Sequence, residues 1–180
     1  MVKLKKIIFV AQSGTCRAPM AMGLMREALP DCEAEILARG LVVLFPEPLN
    51  QKAEAVMIGN GIKLEGYMSS PLVEEDFAPD TLIIALNSDL KEKLLTKFPE
   101  EENVYMLTDI TGDELEIMDP YGGELVSYGL CFESMVKPIR TLAELLRERH
   151  FMLDTDDTAV EKEIYREIST KEIEKNGKDE

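Results

Sequence analysis

The chain has 180 residues, a hydrophobic content of 45% and a formal net charge of -15. This length and composition predict one domain with a sizeable core. The negative charge disfavours nonspecific binding to nucleic acid or to anionic membranes, because both require a basic surface. Three widely spaced cysteines and a single histidine argue against a disulfide framework, a metal site and a Ser-His-Asp relay. We therefore expect a cytoplasmic protein without a cofactor.

The N-terminus places lysines before the apolar run IIFV, in an order that resembles a signal peptide. The run is shorter than the roughly 7–15 apolar residues that a signal peptide needs. No other stretch approaches the roughly 18 apolar residues of a membrane span. The run therefore predicts a first core strand.

Apolar strand-like runs alternate with helical periodicity between residues 4 and 149, which is the pattern of βαβ units around a parallel sheet. The predicted strands are residues 5–10, 34–38, 81–87 and 103–107. The predicted helices are residues 19–30, 50–59, 88–98 and 124–149, with Asn50 and Ser88 as helix caps. Between the last strand and the last helix, residues 109–123 are rich in turn-forming residues.

The composition changes after Leu153, because residues 154–180 hold ten acidic and five basic side chains. The favoured interpretation is a solvated, charged C-terminal tail. The alternative is one appended amphipathic helix, since Val160, Ile164 and Ile168 recur at four-residue intervals. We therefore divide the chain into a domain of residues 1–153 and a tail of residues 154–180.

The segment from Ala11 to Pro19, AQSGTCRAP, has the pattern of an anion-binding loop. A strand that turns into a helix through a short loop directs successive backbone N–H groups, and the positive end of the helix dipole, at one point. Arg17 adds a guanidinium that can hold an oxyanion through two hydrogen bonds. The predicted phosphate-binding residues are Gln12, Ser13, Gly14, Thr15, Cys16 and Arg17.

This loop resembles the signature of the low-molecular-weight protein tyrosine phosphatase family, in which a strand ends in cysteine and five loop residues precede Arg-Ser-Pro and a helix. The matching residues Cys16-Arg17 and Pro19-Met20-Ala21 align Ala11 with the cysteine. A second stretch, residues 118–123 (MDPYGG), is similar to the family's general-acid loop before the last helix. The resemblance implies a flavodoxin-like three-layer α/β sandwich with a four-stranded parallel sheet.

The family's chemistry is displacement at phosphorus, in which a thiolate attacks, an arginine and loop amides hold the oxygens, and an aspartic acid protonates the leaving group. The resemblance gives Arg17 the oxyanion role and Asp119 the general-acid role. It makes Tyr121 part of the pocket wall. The nucleophile is missing, because Ala11 occupies its position.

Two further departures lie in the same loop. Gly14 stands where the family has an asparagine that braces the loop, and Ala18 stands where it has a hydroxyl that helps to stabilise the thiolate. Losing the nucleophile and its stabiliser together favours a pseudophosphatase, which binds phosphate or a phosphorylated protein side chain without hydrolysing it. The alternative is an active tyrosine or arginine phosphatase whose cysteine has been replaced by Ala11.

Other residues are not expected to supply the missing nucleophile. Cys16 neighbours the attacking position in the family without pointing at phosphorus, and Ser13 has no base in the loop to activate it. Cys32 and Cys131 are predicted to have no partner. The extra cysteines that arsenate reductases of this fold need near the third strand are absent. Thr15 resembles the residue of the bacterial branch that acts on phosphoarginine, so phosphotyrosine and phosphoarginine are alternative ligands.

Overall fold

The computed structural model of the protein describes residues 1–101 and 103–153. Its strands are β1 (Val2–Lys3), β2 (Lys6–Ala11), β3 (Glu35–Gly40), β4 (Thr81–Ala85), β5 (Val104–Met106) and β6 (Met152–Leu153). Its α-helices are α1 (Arg17–Ala28), α2 (Gln51–Gly59), α3 (Ser88–Lys97), α4 (Leu107–Thr111) and α5 (Leu125–Glu148). A single 3₁₀ turn among these residues spans Glu74–Asp76. The predicted tail, residues 154–180, lies outside the described residues.

The central sheet has four parallel strands in the order β3-β2-β4-β5. Strand β2 lies in the middle and pairs with β3 on one side and with β4 on the other. Strands β2 and β4 are almost continuously apolar and buried, which is typical of parallel strands with helices over both faces. The expected flavodoxin-like α/β fold with a four-stranded parallel sheet is confirmed.

The strand order reverses direction at β2, because the chain moves from β2 to β3 and then crosses back over β2 to reach β4. In open α/β sheets, ligands bind at such a point, beyond the carboxyl ends of the strands. The loop that follows Ala11 lies at this position. The fold therefore places the predicted anion loop at the carboxyl end of a buried central strand.

The predicted boundaries agree with the observed ones to within two residues, and two of the differences have a clear cause. The N-cap of α3 is Asn87 instead of Ser88, since the Asn87 side chain accepts a hydrogen bond from the Leu90 N–H at 2.9 Å. The predicted strand 103–107 is shorter, because Leu107 begins helix α4, which ends at Gly112 in the left-handed conformation. The Asn50 cap of α2 is confirmed, because its side chain accepts from Lys52 N–H at 3.0 Å and from Ala53 N–H.

A two-stranded antiparallel sheet, β1 with β6, joins the start of the chain to residues 152–153. It is too short to be seen as a pattern in the sequence. His150 and Phe151 adopt positive φ values and turn the chain back after α5, and Leu4 N–H then donates to the Phe151 carbonyl at 2.8 Å. Among the described residues, no helix is long and apolar enough to cross a membrane.

Candidate anion-binding site

A cleft of about 600 Å³ opens at the carboxyl end of β2. Its floor is the loop between β2 and α1, and its walls come from the segment before α2 and from the segment before α5. The lining residues are Ala11, Gln12, Ser13, Thr15, Cys16, Arg17, Glu47, Pro48, Leu49, Asn50, Gln51, Asp119, Tyr121 and Tyr128.

The loop is held in place by backbone hydrogen bonds from the segment after β3. Leu41 and Val42 donate their N–H groups to the carbonyls of Ala11 and Gln12, each at 2.9 Å. Asn50 N–H donates to the Thr15 carbonyl, also at 2.9 Å. Because several loop carbonyls are bonded on the side of the supporting segment, the loop conformation is fixed without any ligand.

Two glycines make this close packing possible. Gly14 has a φ of +71°, a left-handed conformation that glycine adopts without strain. Gly40 lies directly under the loop, where an added Cβ would come within 2.7 Å of the Ser13 carbonyl carbon and oxygen. Loop and sheet edge are therefore in contact through backbone atoms.

Helix α1 begins directly at the cleft and has no side-chain cap. Its N-cap residue is Cys16, whose side chain accepts no hydrogen bond from the first turn. The first N–H groups of a helix have no partner within the helix and carry the positive end of its dipole. With no acidic residue in that turn, these groups suit an anionic ligand.

Arg17 brings a charge into the floor of the cleft. Its side chain is only 5% exposed, and its Nη2 atom lies 3.3 Å from Oδ2 of Asp119. Its Nη1 atom is buried and has no hydrogen-bond partner. Gln12 Oε1, which also belongs to a cleft residue, is buried without a partner as well. A buried guanidinium nitrogen left unpaired in this way is a donor available to a ligand.

The opposite wall is more open. Asp119 is half exposed, and its Oδ1 accepts a hydrogen bond from Tyr121 N–H at 3.1 Å. The Tyr121 side chain is 86% exposed, whereas Tyr128, in the first turn of α5, is buried. Lys52 links this wall to α2 through a 2.7 Å hydrogen bond to the Gly123 carbonyl.

Two thiols lie beside the guanidinium, and neither is set up as a nucleophile. Burial raises the pKa of the Cys16 thiol to about 12, helped by Cys131 and Asp119, while Arg17 acts in the opposite direction. Burial likewise raises the pKa of Cys131 to about 11. Both thiols are therefore protonated at neutral pH. Cys131 donates weakly to the Met118 carbonyl at 3.5 Å, and both Cys32 and Cys131 are free thiols.

The structure brings most of the predicted site residues into one cleft. Ala11, Arg17, Asp119 and Tyr121 all line it, as do the loop residues except Gly14, which is buried in the loop. Sequence reasoning missed Tyr67, whose hydroxyl donates to the Gly14 carbonyl at 2.5 Å, and it missed the wall at Glu47 to Leu49. No motif marks Tyr67, because it reaches the loop from 53 residues further along the chain.

A family model described as low molecular weight phosphotyrosine protein phosphatase matches residues 6–152. The chain belongs to that family. The match covers both motifs and every strand of the four-stranded sheet. Among the described residues, no cluster of three or more histidine, cysteine or acidic side chains could hold a metal ion.

Relatives in the phosphatase family include tyrosine and arginine phosphatases. The low molecular weight protein-tyrosine-phosphatase PtpB of Staphylococcus aureus is 26% identical over 141 residues, which are 78% of this chain and 99% of PtpB. The protein-arginine-phosphatase of Geobacillus stearothermophilus is 29% identical over 145 residues, which are 79% of this chain and 96% of the relative.

A solved structure shows the same fold. The arginine phosphatase YwlE, as a cysteine-to-serine mutant with a phosphorylated active-site serine, superposes with a TM-score of 0.73. The two sequences are 26% identical, and the match covers 82% of this chain and 99% of YwlE. The fold of the present chain is therefore that of a phosphatase family in which a phosphoryl group has been seen on the active-site residue of a relative.

Proposed function

We propose that this protein binds the phosphoryl group of a phosphorylated protein side chain in the loop of residues 12–17, and that it does not hydrolyse it. The observation that carries the proposal is the buried Nη1 atom of Arg17, which has no hydrogen-bond partner. A cytoplasmic location stays a prediction of the sequence.

Three groups of donors support binding of an anion. The guanidinium of Arg17 offers a charged donor, and the uncapped first turn of α1 offers backbone N–H groups. The loop amides complete the set, and their conformation is fixed by Leu41, Val42 and Asn50 before any ligand arrives. A preformed cradle of this kind loses little conformational entropy on binding.

The lack of hydrolysis follows from the groups nearest to the cradle. Ala11 ends β2 at the floor of the cleft, and its methyl group has no atom that can attack phosphorus. The pKa of Cys16 is raised to about 12, so this thiol is not a thiolate at neutral pH. The Ser13 hydroxyl is hydrogen bonded to the Thr15 hydroxyl at 2.9 Å, and neither is a base.

Exposed apolar side chains near the cleft favour a protein ligand over free phosphate. One set of these side chains comes just before Glu47 and Pro48 in the chain. The other set lies in the segment around Asp119 and at the start of α5. Large apolar groups left exposed around a concave site are typical of surfaces that bind a protein. The two sets are Val42, Leu44 and Phe45, and Met118, Tyr121, Leu125 and Val126.

Phosphate binding can be tested by thermal unfolding. Phosphate in hundredfold excess over its dissociation constant should stabilise the protein by about 2.7 kcal/mol. Arg17→Gln should abolish the shift, because it removes the charged donor at Nη1. Arg140→Gln is the matched control, since Arg140 is exposed on α5 far along the helix from the cleft. An equal shift in Arg17→Gln would show that the loop is only a connection.

Hydrolysis can be tested with an aryl phosphate. The protein as it stands should show no turnover above background, because the covalent route needs an attacking group. Ala11→Cys should add little activity, since Ala18 offers no hydroxyl to stabilise a thiolate. Turnover of about 1 s⁻¹ or more in Ala11→Cys, lowered by roughly 10²–10⁴ on adding Asp119→Ala, would instead identify a phosphatase silenced at one position.

A further inference from the structure

We propose that Tyr67 is a positioning residue of the anion loop, and that its hydroxyl fixes the peptide between Gly14 and Thr15 so that the Thr15 N–H points into the cleft. This inference rests on the proposed binding of a phosphoryl group. Tyr67 lies outside both motifs, and it orients one of the N–H donors of the loop.

The contact comes from behind the loop. The Tyr67 hydroxyl donates to the Gly14 carbonyl oxygen at 2.5 Å, and Tyr67 is not among the residues that line the cleft. Its ring is half-buried and packs against the core, so the hydroxyl is held in one place. Burial raises the pKa of Tyr67 to about 12, which keeps the hydroxyl protonated and able to donate at neutral pH.

Peptide geometry carries the effect across the loop. In a trans peptide the carbonyl of one residue and the N–H of the next point in opposite directions, and no cis peptide occurs among the described residues. Because Tyr67 holds the Gly14 carbonyl on the far side, the Thr15 N–H must point toward the cleft, which Thr15 lines. The ligand never touches the residue that orients this donor.

Position 14 is where such a brace is needed. A glycine rotates its peptide groups more freely than any other residue, so the 14–15 peptide could turn over without help. Gly14 also has no room for a bracing side chain, since an added Cβ would lie 3.0 Å from Gly40 N and 3.2 Å from the Arg39 carbonyl carbon. The brace therefore has to come from another part of the chain.

Neighbouring loop carbonyls are held by backbone groups, which leaves the Gly14 carbonyl to Tyr67. Ala11 and Gln12 carbonyls accept from residues 41 and 42, and the Thr15 carbonyl accepts from Asn50. The resemblance of the loop to the family signature aligns Gly14 with the bracing asparagine. Tyr67 stabilises the loop although the asparagine is replaced. The loop therefore keeps a conformation that can bind an anion, even though the nucleophile is absent.

The test compares Tyr67→Phe with Tyr105→Phe, which removes a hydroxyl from β5 at the far edge of the sheet. Inorganic phosphate is the probe, measured by titration of the folded proteins. We expect Tyr67→Phe to bind phosphate about tenfold more weakly, the effect of losing one oriented hydrogen bond, and Tyr105→Phe to bind like the unmodified protein. In amide NMR spectra, the phosphate-induced shift of the Thr15 N–H should be lost in Tyr67→Phe only.

The outcomes separate the two proposals. If the unmodified protein binds no phosphate, the proposed function fails. If the unmodified protein binds phosphate and Tyr67→Phe binds it equally well with an unchanged Thr15 shift, the role of Tyr67 is overturned. Should Tyr67→Phe fail to fold, Tyr67 can be replaced by 3-fluorotyrosine, which keeps the ring and makes the hydroxyl a stronger donor. Phosphate affinity should then increase, and an unchanged affinity would overturn the proposal.

Discussion

The two sides of the cleft are built in opposite ways. On the loop side, Arg17 is almost fully buried and the loop carbonyls are bonded from behind by residues 41–50 and by Tyr67. On the wall side, Asp119 is half exposed and Tyr121 is 86% exposed. In the proposed function, the buried side fixes the geometry of the phosphoryl group, and the exposed side leaves the contacts to the rest of the ligand adaptable.

Gly→Ala changes on the two sides should have opposite signs. Gly40→Ala places a Cβ within 2.7 Å of the Ser13 backbone, so we expect a loss of about 1–3 kcal/mol in the free energy of unfolding. Phosphate binding should fall as well, because the loop must shift. Gly129→Ala, in α5 behind the wall, meets nothing within 4 Å and should stabilise by roughly 0.5–1 kcal/mol. Urea unfolding with and without phosphate measures the stability and the phosphate binding of each variant. A loss of stability in both Gly40→Ala and Gly129→Ala would contradict the difference between the two sides of the cleft.

Alkaline pH should destabilise the protein through its buried thiols. An ordinary thiol has a pKa of 9.0, whereas burial raises the pKa of Cys16 to about 12 and that of Cys131 to about 11. Above pH 9 the unfolded chain loses these protons and the folded chain keeps them, so the free energy of unfolding falls as pH rises from about 9 to 12. Below pH 9 this contribution is fully present.

Denaturant titrations at pH 7.5, 9 and 10.5 measure this loss. Cys131→Ala should make the decline between pH 9 and 10.5 shallower, because it removes one of the two titrating groups. Cys32→Ala serves as the control, since Cys32 is distant from the cleft residues in its position between α1 and β3. If Cys131→Ala and the unmodified protein showed the same pH dependence, the loss of stability at alkaline pH could not be attributed to the Cys131 thiol.

Removing the charge of Asp119 should improve binding of a free anion. Its carboxylate lies 3.3 Å from the Arg17 guanidinium and repels phosphate at the same place. Asp119→Asn should therefore bind inorganic phosphate roughly fivefold more tightly, the equivalent of about 1 kcal/mol for charges near water.

Asp109→Asn is the control, because Asp109 forms an ion pair with Lys91 outside the cleft. It should leave phosphate affinity unchanged. Weaker phosphate binding in Asp119→Asn would show that the carboxylate holds Arg17 in its binding position instead of competing with the ligand.

The smallest effect is expected at the outer rim. Tyr121→Ala should change the free energy of unfolding by less than about 0.5 kcal/mol, because the side chain is almost fully exposed. Inorganic phosphate should bind unchanged, whereas phenyl phosphate should bind a few times more weakly by loss of aromatic contact. Leu115→Ala, exposed on the same segment but outside the cleft, is the control. Equal loss for both ligands would place Tyr121 in the phosphoryl site itself.

The parts of the structure that sequence could predict are those encoded by local patterns. Continuous apolar runs identified the strands of the sheet, and Asn50 marked the start of α2. Boundaries were less accurate where neighbouring residues compete: Asn87 and Ser88 are both good caps, and only Asn87 has its side chain aimed at Leu90 N–H. Leu107 continues an apolar run and nevertheless begins a helix, because the chain turns at the end of β5.

In the candidate site too, local motifs were predictable and contacts between distant residues were not. Residues 11–17 and Asp119 stand in two contiguous motifs, so both could be identified before the structure was known. Tyr67 and Cys131 act through contacts with distant residues, Gly14 and Met118, and no spacing rule encodes them. The loop sequence alone identified Gly14 at the position of the family's bracing asparagine, and it gave no sign that the Gly14 carbonyl accepts a hydrogen bond from Tyr67.

Helix α5 spans 24 residues from Leu125, next to the cleft, to Glu148, a length of about 36 Å at 1.5 Å per residue. Its far end leads to the pairing of β6 with β1, in which Val2 lies opposite Leu153, before the amino end of β2 and so away from the cleft at its carboxyl end. A molecule anchored to a sensor surface or fused to a fluorescent protein through Met1 would therefore present its cleft outward. Surface-based titrations can be designed on this geometry without blocking the loop.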